Sequence, residues 1–150
     1  MRARCWKVSP DFMPEPDPRS LLREAVRASR RAVAPYSKFH VGAALLTRDG
    51  QVILGANVES VSYGLTCCAE RIALFKALTE GHSDFTAIAI VAPHAQTMPC
   101  GACRQLLAEY APAARVFVAD SRRPAKFREF TVDQLLPEAF RSLRKPRART

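Results

Sequence analysis

The chain has 150 residues, of which 48% are hydrophobic and 25% charged, values typical of one globular domain with its own core. No apolar run approaches the roughly 20 residues of a membrane span, and the N-terminus lacks an apolar signal-peptide segment, so we expect a cytoplasmic protein with no membrane partner. The five cysteines include a Cys-x-x-Cys step, which favours metal binding or reduced thiols over a disulfide framework.

The net charge of +9 comes from the two ends of the chain. Residues 1–31 carry eight basic and four acidic residues, residues 141–150 carry five basic residues and no acid, and residues 32–140 carry ten of each sign. A groove that binds nucleic acid would place its basic residues in the folded body, so we do not expect a nucleic-acid partner. We predict a proline-broken flexible extension at 1–18, one domain at 19–140 and a solvated basic tail at 141–150.

The first predicted elements are a helix and a hairpin. Apolar residues at a 3.6-residue period predict a helix from about Ser20, which Pro35 ends. Runs rich in β-forming residues at 39–47 and 51–56 predict two strands, and the Asp-Gly step between them is typical of a tight hairpin. A polar loop follows at 57–66.

Two helices come next, and each begins at a cysteine motif. Residues 68–80 predict a helix that ends at Gly81, and residues 99–110 predict a second one. Between them, the continuous apolar run at 86–92 is too short for an ordinary helix and indicates a buried central strand.

Two strands and a short helix complete the chain order. The strands are predicted at 115–119 and 127–130, and the helix at 131–136 starts with a capping-box sequence. The resulting order α-β-β-α-β-α-β-β-α predicts a single α/β domain in which helices cover a mixed sheet.

The cysteine motifs point to a particular chemistry. They read Cys68-Ala69-Glu70 and Pro99-Cys100-Gly101-Ala102-Cys103. Three thiolates can hold a zinc ion and leave its fourth position open for water, and a helix N-terminus favours the thiolate form. The glutamate is then close enough to move protons without being a ligand. This spacing predicts hydrolytic attack on an amidine-like carbon of a base.

The residues near the motifs also allow other interpretations. Inert buried cysteines are common, but the combined spacing is too restrictive for that explanation. A structural zinc would need a fourth protein ligand, and the three histidines lack ligand spacing. Cys67 lies three residues before Glu70 and not two, so it does not fit the Cys-x-Glu spacing and is interpreted as a packing residue. Cys5 is not expected to be a ligand. Arg71, and secondarily Arg104, could offset the negative charge of the thiolates. Iron or cobalt could also occupy such a site.

Further segments give the chain a family resemblance. They are Pro35-Tyr36-Ser37-Lys38-Phe39, Val41-Gly42-Ala43-Ala44-Leu45, Gly55-Ala56-Asn57-Val58-Glu59, Tyr63-Gly64-Leu65-Thr66, Cys68-Ala69-Glu70-Arg71, Pro99-Cys100-Gly101-Ala102-Cys103-Arg104-Gln105, and Leu135-Leu136-Pro137 with Phe140. With these segments the chain resembles the small, homotetrameric, zinc-dependent type of cytidine deaminase over nearly its whole length after the extension.

The resemblance implies a fold and a reaction. The fold would be a three-layer α-β-α arrangement around a mixed five-stranded sheet. The reaction would be hydrolysis of cytidine and 2′-deoxycytidine to uridine and 2′-deoxyuridine with release of ammonia, a step of pyrimidine salvage. One Zn²⁺ per subunit is implied, as is a homotetramer whose active sites are shared between subunits.

The resemblance also implies roles for individual residues. Zinc would be bound by Cys68, Cys100 and Cys103, protons would be transferred by Glu70, and the charge of the thiolates would be compensated by Arg71. The ribose hydroxyls would form hydrogen bonds with Asn57 and Glu59, the substrate would be contacted by Phe39 and Ala69, and Phe140 would stack on a neighbouring subunit's substrate. An Asn-x-Glu pair in a strand would point both side chains to one face. Ser60 and Val61 depart from the family's usual Asn-Ala at these positions.

Three alternatives stay open at this point. A deaminase of an aminonucleoside antibiotic, of the blasticidin type, would share the zinc motif but is expected to lack the Asn-x-Glu pair. A nucleic-acid editing protein is supported only by the basic ends. A non-catalytic zinc scaffold would need a closed site with four protein ligands.

Overall fold

The chain order of the elements is the predicted one. The structure is a computed structural model that describes residues 15–94 and 97–141. Cys5, most of the predicted N-terminal extension and nearly all of the basic tail lie outside the described residues. The helices are α1 (Pro18–Ser29), α2 (Ala69–Thr79), α3 (Gly101–Tyr110) and α4 (Val132–Leu135), and the strands are β1 (Gly42–Thr47), β2 (Val52–Ala56), β3 (Phe85–Ala92), β4 (Arg115–Asp120) and β5 (Phe127–Thr131). Within these ranges, no helix has the length and apolar character needed to cross a membrane.

The five strands form one mixed sheet in the order β2-β1-β3-β4-β5. β3 and β4 are parallel, and the other neighbouring pairs are antiparallel. β3 lies in the middle and is buried along almost its whole length, as its apolar sequence predicted. One face packs against α1 and the other against α2, α3 and α4, so the predicted three-layer α-β-α fold is confirmed.

The first helix ends earlier than predicted. α1 stops at Ser29, whereas the sequence pattern placed the end at Pro35. The backbone of Val33 instead pairs with the segment after β2, donating to the Asn57 carbonyl at 2.9 Å and accepting from the Glu59 amide at 2.8 Å. This pairing needs an extended backbone at Val33, so a long-range contact overrides the local helical period.

Gly55 lets α2 lie directly on β2. A Cβ atom at this position would come within 2.2 Å of the Ala69 carbonyl oxygen and 2.5 Å of the Ala73 amide nitrogen. Ala69 immediately follows the first cysteine motif residue, Cys68. The contact therefore sets the distance between the sheet and the helix that carries the motif.

We expect Gly55→Ala to lower the free energy of unfolding by about 3 kcal/mol, because the added methyl group overpacks a backbone contact. Urea denaturation of the purified variant measures the change. Gly64→Ala is the matched control, since a Cβ at Gly64 meets no atom within 4 Å. Equal losses for the two variants would contradict the packing argument.

Candidate active site

The three predicted zinc ligands converge at two helix N-termini. Cys68 is the N-cap of α2, Cys100 is the N-cap of α3, and Cys103 lies in the first turn of α3. The Sγ atoms of Cys68 and Cys100 are 3.7 Å apart, those of Cys100 and Cys103 are 3.5 Å apart, and all three lie within 4.8 Å of one another. The three cysteines are free thiols rather than halves of a disulfide.

These distances fit one zinc ion. Tetrahedral coordination with Zn–S bonds of about 2.3 Å separates neighbouring sulfurs by about 3.8 Å. In residues 15–94 and 97–141 this trio is the only group of three or more potential ligands that close together, and the described histidines stay outside it. The donor set therefore offers three protein ligands and leaves the fourth position to another molecule.

One of the three cysteines has a lowered pKa, which favours metal binding. A hydrogen bond from Cys103, with further help from Arg71 and Cys100, lowers the pKa of Cys68 to about 5. The same hydrogen bond, together with burial, raises the pKa of Cys103, which keeps the proton. Cys68 is therefore a thiolate at neutral pH, the form that binds zinc.

Arg71 lies against the thiolates. Its Nη2 donates to the Thr66 carbonyl at 2.8 Å and to Cys68 Sγ at 3.8 Å. Its Nε is buried and has no hydrogen-bond partner among the described residues. A cation with an unused donor beside a thiolate suits the predicted charge-compensating role, which stays a prediction. Arg104 instead donates to the carbonyls of Pro99 at 2.8 Å and Leu135 at 3.1 Å, so it holds the chain around the second motif.

Glu70 is buried in the first turn of α2. Only 5% of its surface is exposed, and this burial is the main cause that raises the pKa of its carboxyl group, partly offset by hydrogen bonding from Cys103. A raised pKa suits a group that takes up and releases protons near neutral pH. The structure thus places a buried carboxyl group next to the sulfur trio, and its role as the proton carrier stays a prediction.

Asn57 lies just beyond the end of β2 and is 93% buried (7% exposed). Its Oδ1 accepts from the Val41 amide at 2.8 Å, and its Nδ2 donates to the Phe39 carbonyl at 2.9 Å. Because residues 39–41 bond to this side chain, β1 begins at Gly42 and not at residue 39 as predicted.

Glu59 binds the same segment of the chain. Its Oε2 accepts from the amides of Tyr36 at 3.0 Å and Ser37 at 3.2 Å, and its Oε1 accepts from the Ser37 hydroxyl. The Ser37 hydrogen bond is the main cause that lowers the pKa of Glu59. β2 ends at Ala56, so the Asn-x-Glu pair does not lie in a regular strand, but both side chains form hydrogen bonds to the segment 36–41. Sequence reasoning missed Ser37.

The remaining predicted site residues occupy varied surroundings. Phe39 is partly buried, and its ring stacks on His94 with centroids 5.9 Å apart. Ala69 is fully buried, whereas Phe140 is 63% exposed and its carbonyl accepts from Gln105 Nε2 at 2.5 Å. Their substrate contacts stay predictions. Cys67 is half-buried, pairs through its backbone with Val58 and does not belong to the sulfur trio of Cys68, Cys100 and Cys103.

Residues 16–119 match the model of the cytidine and deoxycytidylate deaminase zinc-binding region. The chain belongs to this deaminase family. A cytidine deaminase of Halalkalibacterium halodurans is 52% identical over 126 residues, which cover 83% of this deaminase and 94% of the relative. The crystal structure of a cytidine deaminase from Burkholderia pseudomallei superimposes with a TM-score of 0.77 at 46% identity, covering 81% of this deaminase and 97% of that chain.

A blasticidin-S deaminase of Bacillus cereus also matches this deaminase, at 34% identity over 110 residues that cover 67% of it and 76% of the relative. Together, the family match and the solved structure confirm the predicted resemblance and fold. The matched region is a zinc-binding one, in agreement with the geometry of the sulfur trio.

Proposed function

We propose that this deaminase hydrolyses cytidine and 2′-deoxycytidine to uridine and 2′-deoxyuridine, with release of ammonia, as a step of pyrimidine salvage. One observation carries the proposal: three cysteine sulfurs lie within 4.8 Å of one another beside a buried carboxyl group. The cytidine deaminase relatives support the choice of substrate.

Each residue of the site has a part in this reaction. Cys68, Cys100 and Cys103 would hold a zinc ion, which would lower the pKa of water toward neutrality and so supply a nucleophile. Glu70 accepts a proton from the attacking water and delivers it to N3 of the pyrimidine while the water oxygen bonds to C4. Glu70 then carries the second proton to the exocyclic amine, the C4–N bond breaks and ammonia leaves. Arg71 balances the negative charge of the thiolates.

The substrate is held at its sugar and at its base. Asn57 and Glu59 bind the ribose hydroxyls, and their hydrogen bonds to the one segment 36–41 bring both side chains to the same part of the molecule. Phe39 packs against the pyrimidine, and Ala69 contacts it next to the metal ligand Cys68. An ionised Glu59 is a strong hydrogen-bond acceptor for a hydroxyl group.

A spectrophotometric assay tests the proposal. Zinc-loaded protein is mixed with cytidine or 2′-deoxycytidine, and we expect uridine or 2′-deoxyuridine to form with one ammonia each. Blasticidin S is assayed in parallel, because the Bacillus cereus relative favours that second candidate substrate. Preferred turnover of blasticidin S, or no turnover of either nucleoside, would overturn the proposal.

We infer further that the protein is a homotetramer with shared active sites. Exposed apolar side chains support an association surface, among them Val61, Tyr63, Leu65 and Phe140. In this arrangement Phe140 stacks on the substrate of a neighbouring subunit, and its ring is free to do so because only its backbone is hydrogen-bonded to Gln105.

Mixed oligomers of Phe140→Ala and Glu70→Gln subunits test this sharing. Sites that combine Glu70 from one variant with Phe140 from the other are complete, so we expect the mixture to recover part of the activity that both pure variants lack. The measurement is cytidine turnover after co-refolding, with co-refolded pure variants as controls. No recovery in the mixture would show that the two residues act within one subunit.

A further inference from the structure

We propose that Ser37 is a positioning residue for the sugar end of the site, where its hydroxyl group fixes the Glu59 carboxylate relative to the backbone of Phe39. This inference rests on the proposed function, since it concerns how the nucleoside sugar is recognised. The Ser37 hydroxyl donates to Oε1 of Glu59 and accepts the amide hydrogen of Phe39 at 3.0 Å. One hydroxyl group thereby joins the residue that binds the sugar to the residue that packs on the base.

The hydroxyl completes the orientation of the carboxylate. Oε2 of Glu59 already accepts the amides of Tyr36 and Ser37, at 3.0 and 3.2 Å. A carboxylate held at one oxygen can still rotate about its last bond, whereas one held at both oxygens has a fixed plane. An ionised carboxylate offers about four acceptor positions, so three protein donors leave room for a sugar hydroxyl in a defined direction.

The backbone of Phe39 is fixed by hydrogen bonds at both its amide and its carbonyl group. Its amide is bound by Ser37 and its carbonyl by Asn57 Nδ2, at 2.9 Å. Lys38, between Ser37 and Phe39 in the chain, has a φ of +59°. This left-handed conformation is uncommon for non-glycine residues and persists where neighbouring contacts enforce it. The Lys38 amide bonds to the Ala34 carbonyl at 3.1 Å, so the turn is anchored on both sides of the serine.

Loss of the hydroxyl should therefore weaken sugar recognition without altering the chemistry. Ser37 makes no hydrogen bond to the sulfur trio or to Glu70 in the described part of the chain. In Ser37→Ala the two backbone donors to Glu59 remain and Asn57 still holds Phe39 through its carbonyl, so the main change is that the carboxylate plane of Glu59 is freed. The effect should depend on the presence of hydroxyl groups on the substrate sugar.

Steady-state kinetics with cytidine and with 2′,3′-dideoxycytidine test this dependence. For Ser37→Ala we expect KM for cytidine to rise roughly tenfold with kcat within about twofold of the parent, as for the loss of one hydrogen bond to a charged group. KM for 2′,3′-dideoxycytidine, which lacks both hydroxyls, should be unchanged. Ser37→Thr keeps the hydroxyl and should restore most of the cytidine affinity.

Ser29→Ala is the matched control, because among the described residues the Ser29 hydroxyl bonds to the Val26 carbonyl alone, at 2.8 Å within the helix α1. It should leave both KM values at the parent level. If Ser37→Ala fails to fold, Ser37→Cys replaces it, because a thiol is a weaker hydrogen-bond donor than a hydroxyl group. We then expect a smaller rise in KM for cytidine and again no change in KM for 2′,3′-dideoxycytidine.

Two outcomes would overturn the inference while the parent enzyme still deaminates cytidine. One is an unchanged KM for cytidine in Ser37→Ala, and the other is an equal rise in KM for both substrates. A parent protein that does not turn over cytidine is a different result, because it refutes the proposed function itself.

Discussion

Glu70→Gln is expected to lower kcat for cytidine by about 10²–10⁴-fold, the usual contribution of general acid–base catalysis, while zinc stays at one per chain. Glutamine has the shape of glutamate but cannot take a proton from water. Glu70 forms no ion pair with any described residue, so replacing it with a neutral amide removes none and should leave the fold intact. Turnover is followed by absorbance and zinc by elemental analysis.

Glu80→Gln is the matched control for this experiment. Glu80 is the exposed C-cap of α2, the same helix that begins with Glu70 in its first turn, so the same chemical change is made far from the sulfur trio. We expect parental kcat for this variant. A Glu70→Gln enzyme within a few-fold of the parent would show that another group transfers the protons.

Cys100→Ala is expected to abolish zinc binding and turnover together. Removal of an outer-shell partner typically weakens metal affinity about 10–100-fold, and loss of one of three direct protein ligands should exceed that. Only Cys68 and Cys103 would remain of the trio. Zinc content after dialysis against a chelator should fall from one per chain to near zero.

Cys67→Ala supplies the comparison for the cysteine experiment. Cys67 adjoins Cys68 in the chain but lies outside the sulfur trio, so its removal should leave zinc content unchanged. Full zinc occupancy in Cys100→Ala would exclude Cys100 as a ligand. Zinc loss in both variants would indicate general unfolding rather than loss of a ligand, which circular dichroism would reveal.

Features set by local rules could be predicted from the sequence. The capping box at α4 forms as expected. The backbone amide of Gln134 donates to Thr131 Oγ1 at 3.2 Å, and the backbone amide of Thr131 donates to the side-chain Oε1 of Gln134 at 2.9 Å. The tight hairpin and the cysteines at two helix N-termini follow from similar short patterns. The metal trio could be predicted from the spacing of its two motifs, although Cys68 and Cys100 meet across 32 residues of sequence.

Features set by long-range contacts could not be predicted in this way. The early end of α1 depends on pairing between Val33 and Val58, and the late start of β1 depends on the Asn57 side chain. Ser37 meets Glu59 across 22 residues of sequence. Only its bond to the Phe39 amide, two residues on, follows a common local serine pattern that could have drawn attention to it.

The hydrogen bonds of Asn57 bear on attempts to redesign substrate choice. The amide group that is proposed to meet the sugar also fastens the chain at Phe39 and Val41, in a nearly solvent-free position. Substitution of this asparagine is therefore costly, because any replacement must also restore the hydrogen bonds to the Val41 amide and the Phe39 carbonyl. New nucleoside preferences are better sought at neighbouring positions whose side chains do not hold the backbone.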